Sequence, residues 1–379
     1  MASRATRRIV LVGLAGGVAL AGQRLARRYR DDLEAAHARL AAVGRKVVPT
    51  PFGAVEYAER GTGEPLLAVH GIFHGCDGAL LSARDLAADH RVVGPSRFGY
   101  LGSTLPPDAT PADQADAFAS LLDELGVDRT DVVAFSAGTS AGLQLALRHP
   151  DRVRRLAVVS GSFPGSPTAA APPPWARLLY ADPPMWALKT FARPALLQVM
   201  GVPRGLPLTP EDREFLAEMA DSIFPVGPRA QGAIFDAYVS APDVNDYPLE
   251  EIGVPTLVVH AQDDPLCSHD AAERAAARIP GARFVSVPSG GHLLLGLFDT
   301  AGSPQGPGDL CVVARGPQIV LRHADQLVGV AVGPGEGDHR LRTRNRSVDH
   351  SSVPGPRACH LDSMMPRYSV SPSVPSTAA

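Results

Sequence analysis

Residues 131–153 read DVVAFSAGTSAGLQLALRHPDRV, and this stretch decides the fold. Val132 to Phe135 is a short apolar run. Ser136-Ala137-Gly138 interrupts it with small residues, and Leu143, Leu145, Ala146 and Leu147 then resume a mostly apolar helical pattern. His149-Pro150 stops the helix, because the residue before a proline disfavours the right-handed helical region. A strand, a tight turn and a helix in that order make the setting of a nucleophile elbow, where a serine stands exposed on a strained backbone. The residues two positions either side of such a serine must be small.

Two serines compete for that place. Gly138-Thr139-Ser140-Ala141-Gly142 fits the G-x-S-x-G pattern letter for letter, whereas Ala134-Phe135-Ser136-Ala137-Gly138 fits it with alanine for the first glycine. Geometry favours the imperfect match. Ser136 directly follows the last strand residue, where the turn must be. Ser140 lies one helical turn further on, since positions i and i+4 share a helix face. The expected nucleophile is Ser136.

The surroundings repeat the alternation. Lys46 to Val48 and Val55 to Glu59 read as short strands around the turn Pro51-Phe52-Gly53. Pro65 to Val69 reads as a buried strand ending in His70-Gly71-Ile72-Phe73-His74-Gly75, and Arg91 to Val93 as another. His70 reads as a hydrogen-bonded organiser of its loop, while His74 fits either a site role or loop packing. Residues 111–125 are helical, with Pro111 suited to the first helical position and Ala115, Phe118, Leu121, Leu122 and Leu125 at helix spacing. Val153 to Ser160 is the next strand. Strands alternating with helices imply an α/β fold with a mostly parallel sheet. The alternation stops near residue 164. Apolar helices are expected around 175–200, 209–223 and 228–240, and the sheet pattern returns with strands at Val254 to His260 and Arg283 to Val287 around a helix at 269–279.

Bulk properties exclude some partners. The chain has 379 residues, 45% of them apolar and 20% charged, with a net charge of −3. That balance gives no electrostatic case for nucleic acid. Cys76, Cys267, Cys311 and Cys359 form no C-x-x-C pair and no zinc spacing, so neither a disulfide framework nor a metal site is indicated.

Candidate site residues now fall in the order Ser136, Asp264, His292, each just after a strand. In an open parallel sheet the ligand site lies beyond the carboxyl ends of the strands, so three residues distant in sequence can converge there. Residues 46–297 resemble the α/β-hydrolase superfamily, in the branch with a helical cap inserted after the sixth strand. The string SAGTSAGLQLALRHPDRV is similar to the family's elbow helix, where a proline usually sits fourteen residues beyond the nucleophile; Pro150 stands fourteen beyond Ser136. His70-Gly71-Ile72 resembles the family's oxyanion loop, which implies the backbone N–H groups of Ile72 and Ala137 as oxyanion donors. Ala261-Gln262-Asp263-Asp264 resembles its Gly-x-x-Asp turn and selects Asp264 over Asp263 as the acid. Gly291-His292 matches its Gly-His at the base position. The resemblance implies a Ser-His-Asp triad that needs no metal or organic cofactor. The implied activity is hydrolysis of an ester or similar acyl bond in a small or medium apolar substrate. Other chemistry on the same triad (C–C bond hydrolysis or cofactor-free haloperoxidation) and a non-catalytic binding role remain alternatives at this point.

The resemblance divides the chain into a first core segment (46–163), a helical cap (164–245) and a second core segment (246–298). Three departures stand out. Ala134 replaces a frequent glycine. Pro95-Ser96-Arg97-Phe98-Gly99 carries an arginine in place of the usual Asp-x-x-Gly beginning, and bulky Phe73 and His74 follow His70-Gly71. After Phe298 the family's covering helix gives way to residues 299–379, rich in Arg, Pro, Ser and Gly, which read as a low-order tail apart from short apolar runs within 309–331.

Residues 1–30 read as a targeting segment. Ile9 to Gly22 is uncharged and fourteen residues long, flanked by Arg4, Arg7 and Arg8 on one side and Arg24, Arg27, Arg28 and Arg30 on the other. A bilayer span needs about 20 residues, yet arginine stems extend a short span by snorkelling. The expectation is an uncleaved membrane anchor. A signal peptide cleaved near Ala19-Leu20-Ala21, giving a secreted protein, is the first alternative, and a buried helix the second. Residues 27–43 read as an amphipathic helix leading into the domain.

Overall fold

The apolar runs become strands because their side chains are wanted on both sides of one sheet. The computed structural model describes residues 4–166, 175, 178, 180–295, 310–315 and 318–323, with residues 4–16 and the last two segments described by backbone alone. Eight strands form the main sheet: β1 (Lys46–Thr50), β2 (Gly53–Arg60), β3 (Glu64–Val69), β4 (His90–Pro95), β5 (Thr130–Phe135), β6 (Val153–Val159), β7 (Thr256–Ala261) and β8 (Arg283–Val287). Their order is β1-β2-β4-β3-β5-β6-β7-β8. β1, β2 and β4 pair antiparallel, and every pairing from β4 to β8 is parallel.

Successive strand residues feed opposite faces. Leu67, Val69, Val132, Ala134, Val158 and Val258 join a core with α3 (Pro111–Glu124), α4 (Thr139–Arg148) and α10 (His269–Arg278). Leu66, Ala68, Val133, Ala157, Val159 and Val259 join a second core with α2 (Cys76–Ser82). A parallel sheet covered on both faces needs such continuous apolar runs, and each fully buried Leu or Val contributes about 1.5–3 kcal/mol. In register, Val69 lies beside Ala134 and Phe135 beside Val159. The residues following β3, β5 and β6 therefore emerge side by side at one sheet edge.

Between β6 and β7 the chain leaves the sheet for α5 (Asp182–Phe191), α6 (Arg193–Val199), α7 (Pro210–Ser222), α8 (Ala230–Phe235) and the short α9 (Ala241–Asp243), with a π-helical turn at Asp236–Ser240. Thr209 and Asp212 form a capping box that starts α7. The helix expected over 175–200 is broken at Ala192, just before Arg193-Pro194. α2 was not foreseen, because seven residues are too few to display a helical period. The inserted helices pack around Met185, Leu196, Phe215, Leu216, Met219 and Ile223. They are fastened to the loop after β4 and to α2 by ion pairs. Arg97 forks onto both carboxylate oxygens of Asp236, which also accepts the Tyr100 hydroxyl, and Arg229 forks onto Asp77 at 2.7 and 3.1 Å. The arginine that departs from the family's usual loop thus has its partner in the insertion, more than a hundred residues away.

The N-terminal segment belongs to one long helix. α1 (Arg4–Ala42) runs unbroken through the stretch expected to be an anchor, and among the described residues no helix is long and apolar enough to cross a membrane. The uncharged run ends at Gly22 and Arg24, Arg27, Arg28 and Arg30 follow within the same helix. The later part of α1 packs on the insertion. Ala36 is buried with Trp186 and Phe224, and the Trp186 indole donates to Asp32 at 2.8 Å. The tail expected over 299–379 lies outside the described residues, apart from β9 (Leu310–Arg315) and β10 (Gln318–His323), which pair antiparallel as a separate two-stranded sheet.

Candidate active site

The elbow forms where β5 ends. Ser136 has φ +50°, a left-handed conformation that costs a serine energy and aims its side chain off the turn. Close packing surrounds it. A Cβ on Gly138 would lie 2.6 Å from the Val69 carbonyl oxygen. A Cβ on Gly142 would lie 2.8 Å from the Ala134 Cβ, so alanine is accommodated at 134 because glycine faces it. Ser140 is buried within α4, and its hydroxyl has no hydrogen-bond partner among the described residues.

His292 and Asp264 meet Ser136 at this edge. His292 Nε2 lies 2.8 Å from Ser136 Oγ, and its Nδ1 lies 2.8 Å from Asp264 Oδ2. A carboxylate only accepts, so Nδ1 carries the proton and Nε2 is left to accept from the Ser136 hydroxyl. The Asp264 side chain is fully buried, and its Oδ1 accepts the N–H groups of Leu266 and Cys267 at 2.8 and 3.1 Å. Burial works against its charge, but hydrogen bonds from His260 and His292 prevail and hold the carboxyl well below the usual carboxylate range. Burial likewise disfavours charge on His292, while its hydrogen bonds to Asp264 and Cys267 outweigh that effect and raise its pKa above the ordinary histidine value.

The loop carrying His292 is held from two sides. Asp263 accepts the Gly291 N–H at 2.8 Å, the Ser289 hydroxyl at 2.9 Å and the Gly290 N–H at 3.3 Å. From the insertion, the Gly201 carbonyl accepts the His292 N–H at 3.0 Å. Gly201 has φ +78°, and a Cβ there would sit 2.3 Å from the His292 Cβ.

The loop after β3 closes the site from the other side. His70 is fully buried; its Nδ1 donates to the Gly71 carbonyl at 2.7 Å and its Nε2 accepts the Arg97 N–H at 2.9 Å. Burial, reinforced by the nearby Arg97 charge, keeps it neutral. Gly71 brings the backbone against Ser136, since a Cβ there would lie 3.2 Å from the Ser136 Cβ. Ile72 lines the pocket beside it, and Ala137 follows Ser136 in the turn. The pocket, a cavity of about 130 Å³, opens onto Ser136 and His292 and is walled by Met185, Leu196, Met200, Phe215 and Met219 of the insertion. Among the described residues lining it there is no Lys, Arg, Asp or Glu.

Sequence reasoning missed the residues that act through others. His260, on β7, places Nε2 3.2 Å from Asp264 Oδ2. Its spacing of four before Asp264 was the available signal, but a histidine inside an apolar strand reads as core. Gly201 and Asp236 sit in the insertion, where no local pattern points to the sheet edge. Cys267 joins Asp264 and His292 in a group whose ligand atoms lie within 4.8 Å of one another, a spacing a metal ion would accept. Its contact with His292 also fits the hydrogen-bond chain without one.

Residues 64–298 match the family model described as the alpha/beta hydrolase fold. The chain belongs to that family. A Caulobacter vibrioides protein named carbamate hydrolase RutD is 32% identical over 210 residues, covering 54% of this chain and 71% of the relative. A 2-hydroxymuconate semialdehyde hydrolase of Pseudomonas putida is 27% identical over 260 residues, covering 66% of this chain and 88% of the relative. An alpha/beta hydrolase fold protein from Nakamurella multipartita superposes with a TM-score of 0.58 at 29% identity, covering 66% of this chain and 92% of the other. At the level of the family this chain is a hydrolase; its bond and substrate are narrower questions.

Proposed function

We propose that this hydrolase cleaves an ester or related acyl bond of a small or medium, uncharged and largely apolar substrate through an acyl-enzyme on Ser136. The observation that carries the reading is the continuous chain from Ser136 Oγ through His292 to Asp264, with 2.8 Å at each step, at a serine held on a positive-φ turn. His292 Nε2 takes the Ser136 proton as Oγ attacks the carbonyl carbon, because a serine hydroxyl is a poor nucleophile unaided. Asp264 keeps Nδ1 protonated and stabilises the imidazolium. The N–H groups of Ile72 and Ala137 receive the developing oxyanion, each worth about 3–4 kcal/mol in such a site. His292 returns the proton to the leaving alcohol, and a water activated by the same nitrogen releases the acid.

The substrate class follows from the wall. A pocket with no Lys or Arg among its described lining offers a carboxylate no permanent cation to pair with, and burying an unpaired charge is costly. This favours a neutral ester over a charged one. A fluorophosphonate probe tests the chemistry. Labelling of the wild type, lost in Ser136→Ala and kept in Ser140→Ala, is the expected result. Folded protein that does not label overturns the acyl-enzyme. Turnover of a vinylogous C–C substrate in preference to every neutral ester would reassign the reaction.

A further inference from the structure

Ser136, His292 and Ser82 are three of the polar side chains in a mostly apolar pocket. Two more line the same pocket, and each keeps a buried polar atom without a partner among the described residues: Nε2 of His74 and Oγ of Ser160. His74 is 9% exposed and Ser160 2%. They come from opposite sides of the nucleophile. His74 lies on the loop after β3 and Ser160 immediately follows β6, and these two strands flank β5, whose end carries Ser136. Ser160 holds φ +48°, a left-handed conformation unusual for a serine. An orphaned polar atom in a folded interior calls for an explanation, and a ligand that completes it is one.

The hydrogen-bond pattern of His74 fixes what that ligand must offer. Its Nδ1 lies 2.9 Å from the Ile72 carbonyl oxygen, which can only accept. Nδ1 therefore carries the proton, and Nε2 of the neutral ring presents a lone pair. Burial keeps the ring neutral, lowering its pKa to about 4. Nε2 can only accept, whereas the Ser160 hydroxyl can accept or donate. A group that satisfies both must therefore be a donor.

We propose that His74 Nε2 and Ser160 Oγ form a polar subsite that receives a hydroxyl or N–H group carried by the substrate close to its scissile carbonyl. The preferred substrate is then a neutral ester bearing a hydrogen-bond donor on its short apolar chain. A plain alkyl ester leaves both groups desolvated and unpaired. This rests on the serine-hydrolase reading for its location and on the orphaned atoms for its chemistry.

The test is a series of ethyl butyrates hydroxylated at successive carbons, with the matching amide-bearing ester, compared with ethyl butyrate itself. At least one donor-bearing ester is expected to exceed the plain one in kcat/KM by about tenfold, the size of one well-made hydrogen bond. His74→Leu and Ser160→Ala should each shrink that ratio. Fluorophosphonate labelling of both variants verifies that the site is still formed. Equal kcat/KM across the series, or a ratio that survives both substitutions, overturns the subsite while leaving the hydrolase reading intact. If no ester is turned over, the hydrolase reading fails and calorimetry decides the subsite alone. Hydroxylated and plain alkyl methyl ketones are then titrated into wild type and the His74→Leu, Ser160→Ala double variant. Tighter binding of the hydroxylated ketone by wild type alone supports the subsite, and equal binding overturns it.

Discussion

The elbow that carries Ser136 and the loop that carries His292 face each other across 2.8 Å, yet they are built on different principles. The elbow is made by neighbours in sequence. The end of β5, the small residues around the turn and the start of α4 impose its shape, and its long-range needs reduce to close backbone approach at Gly138 and Gly142. The histidine loop has no such local frame. It is suspended between Asp263 after β7 and Gly201 of the insertion, with Leu294 and Leu295 buried beyond it. One half of the site is therefore encoded in about a dozen consecutive residues, and the other in three segments that meet only after folding.

That contrast can be broken or sharpened by substitution. The largest effect is expected at the elbow. Ser136→Ala should lower kcat by about a millionfold, as when a triad nucleophile is removed, measured on a chromogenic ester. Next comes Asp264→Asn, expected to lower kcat by about ten-thousandfold. It also carries a pH signature. His292 must be neutral to accept a proton, and its pKa is raised, so wild-type kcat/KM should fall as pH drops through a value above the ordinary histidine range. Without the carboxylate that inflection should move to lower pH, because the hydrogen bond favouring the charged ring is gone. A profile that does not move would detach Asp264 from the base.

Stability effects follow. Asp236→Ala leaves the buried Arg97 guanidinium without its carboxylate and should cost about 3–5 kcal/mol in denaturant unfolding. Gly201→Ala forces a Cβ against His292 at a positive φ, so a loss of about 1–3 kcal/mol should accompany a fall in kcat with little change in probe labelling at saturation. The same class of change at the elbow should be milder. Ala134→Gly removes a methyl from the contact with Gly142 and should cost about 1 kcal/mol in stability with kcat preserved. If Gly201→Ala proves silent and Ala134→Gly severe, the division between a local elbow and a suspended loop is wrong.

The same division explains what the sequence disclosed. The eight strands, α3, α4, α7 and α10 were legible because short apolar runs and period-3.6 patterns are local. Pro111 added a start signal. Ser136, Asp264 and His292 could be picked out as candidates because each follows a strand and each sits beside residues that fix a turn. Gly201 and Asp236 were invisible for the opposite reason. Each acts on a partner tens to more than a hundred residues away, and neither changes the pattern of its own segment. His260 lies only four residues before Asp264, but a histidine inside an apolar strand reads as core. The apolar run of residues 9–22 discloses less, because hydropathy records what a side chain avoids, not what it finds. The helix that contains it also presents Asp32 and Ala36 to Trp186, an arrangement that only the folded insertion reveals.

The contact between Ala134 and Gly142 has a consequence for how such elbows are recognised. What the turn constrains is the combined volume of two side chains, one on the strand and one on the helix crossing it, rather than the identity of either. A methyl can be moved from one surface to the other while the sum stays fixed. A pattern that demands glycine at the strand position scores half of a two-body quantity, and in this chain it selects the serine in the helix, Ser140, over the one at the turn.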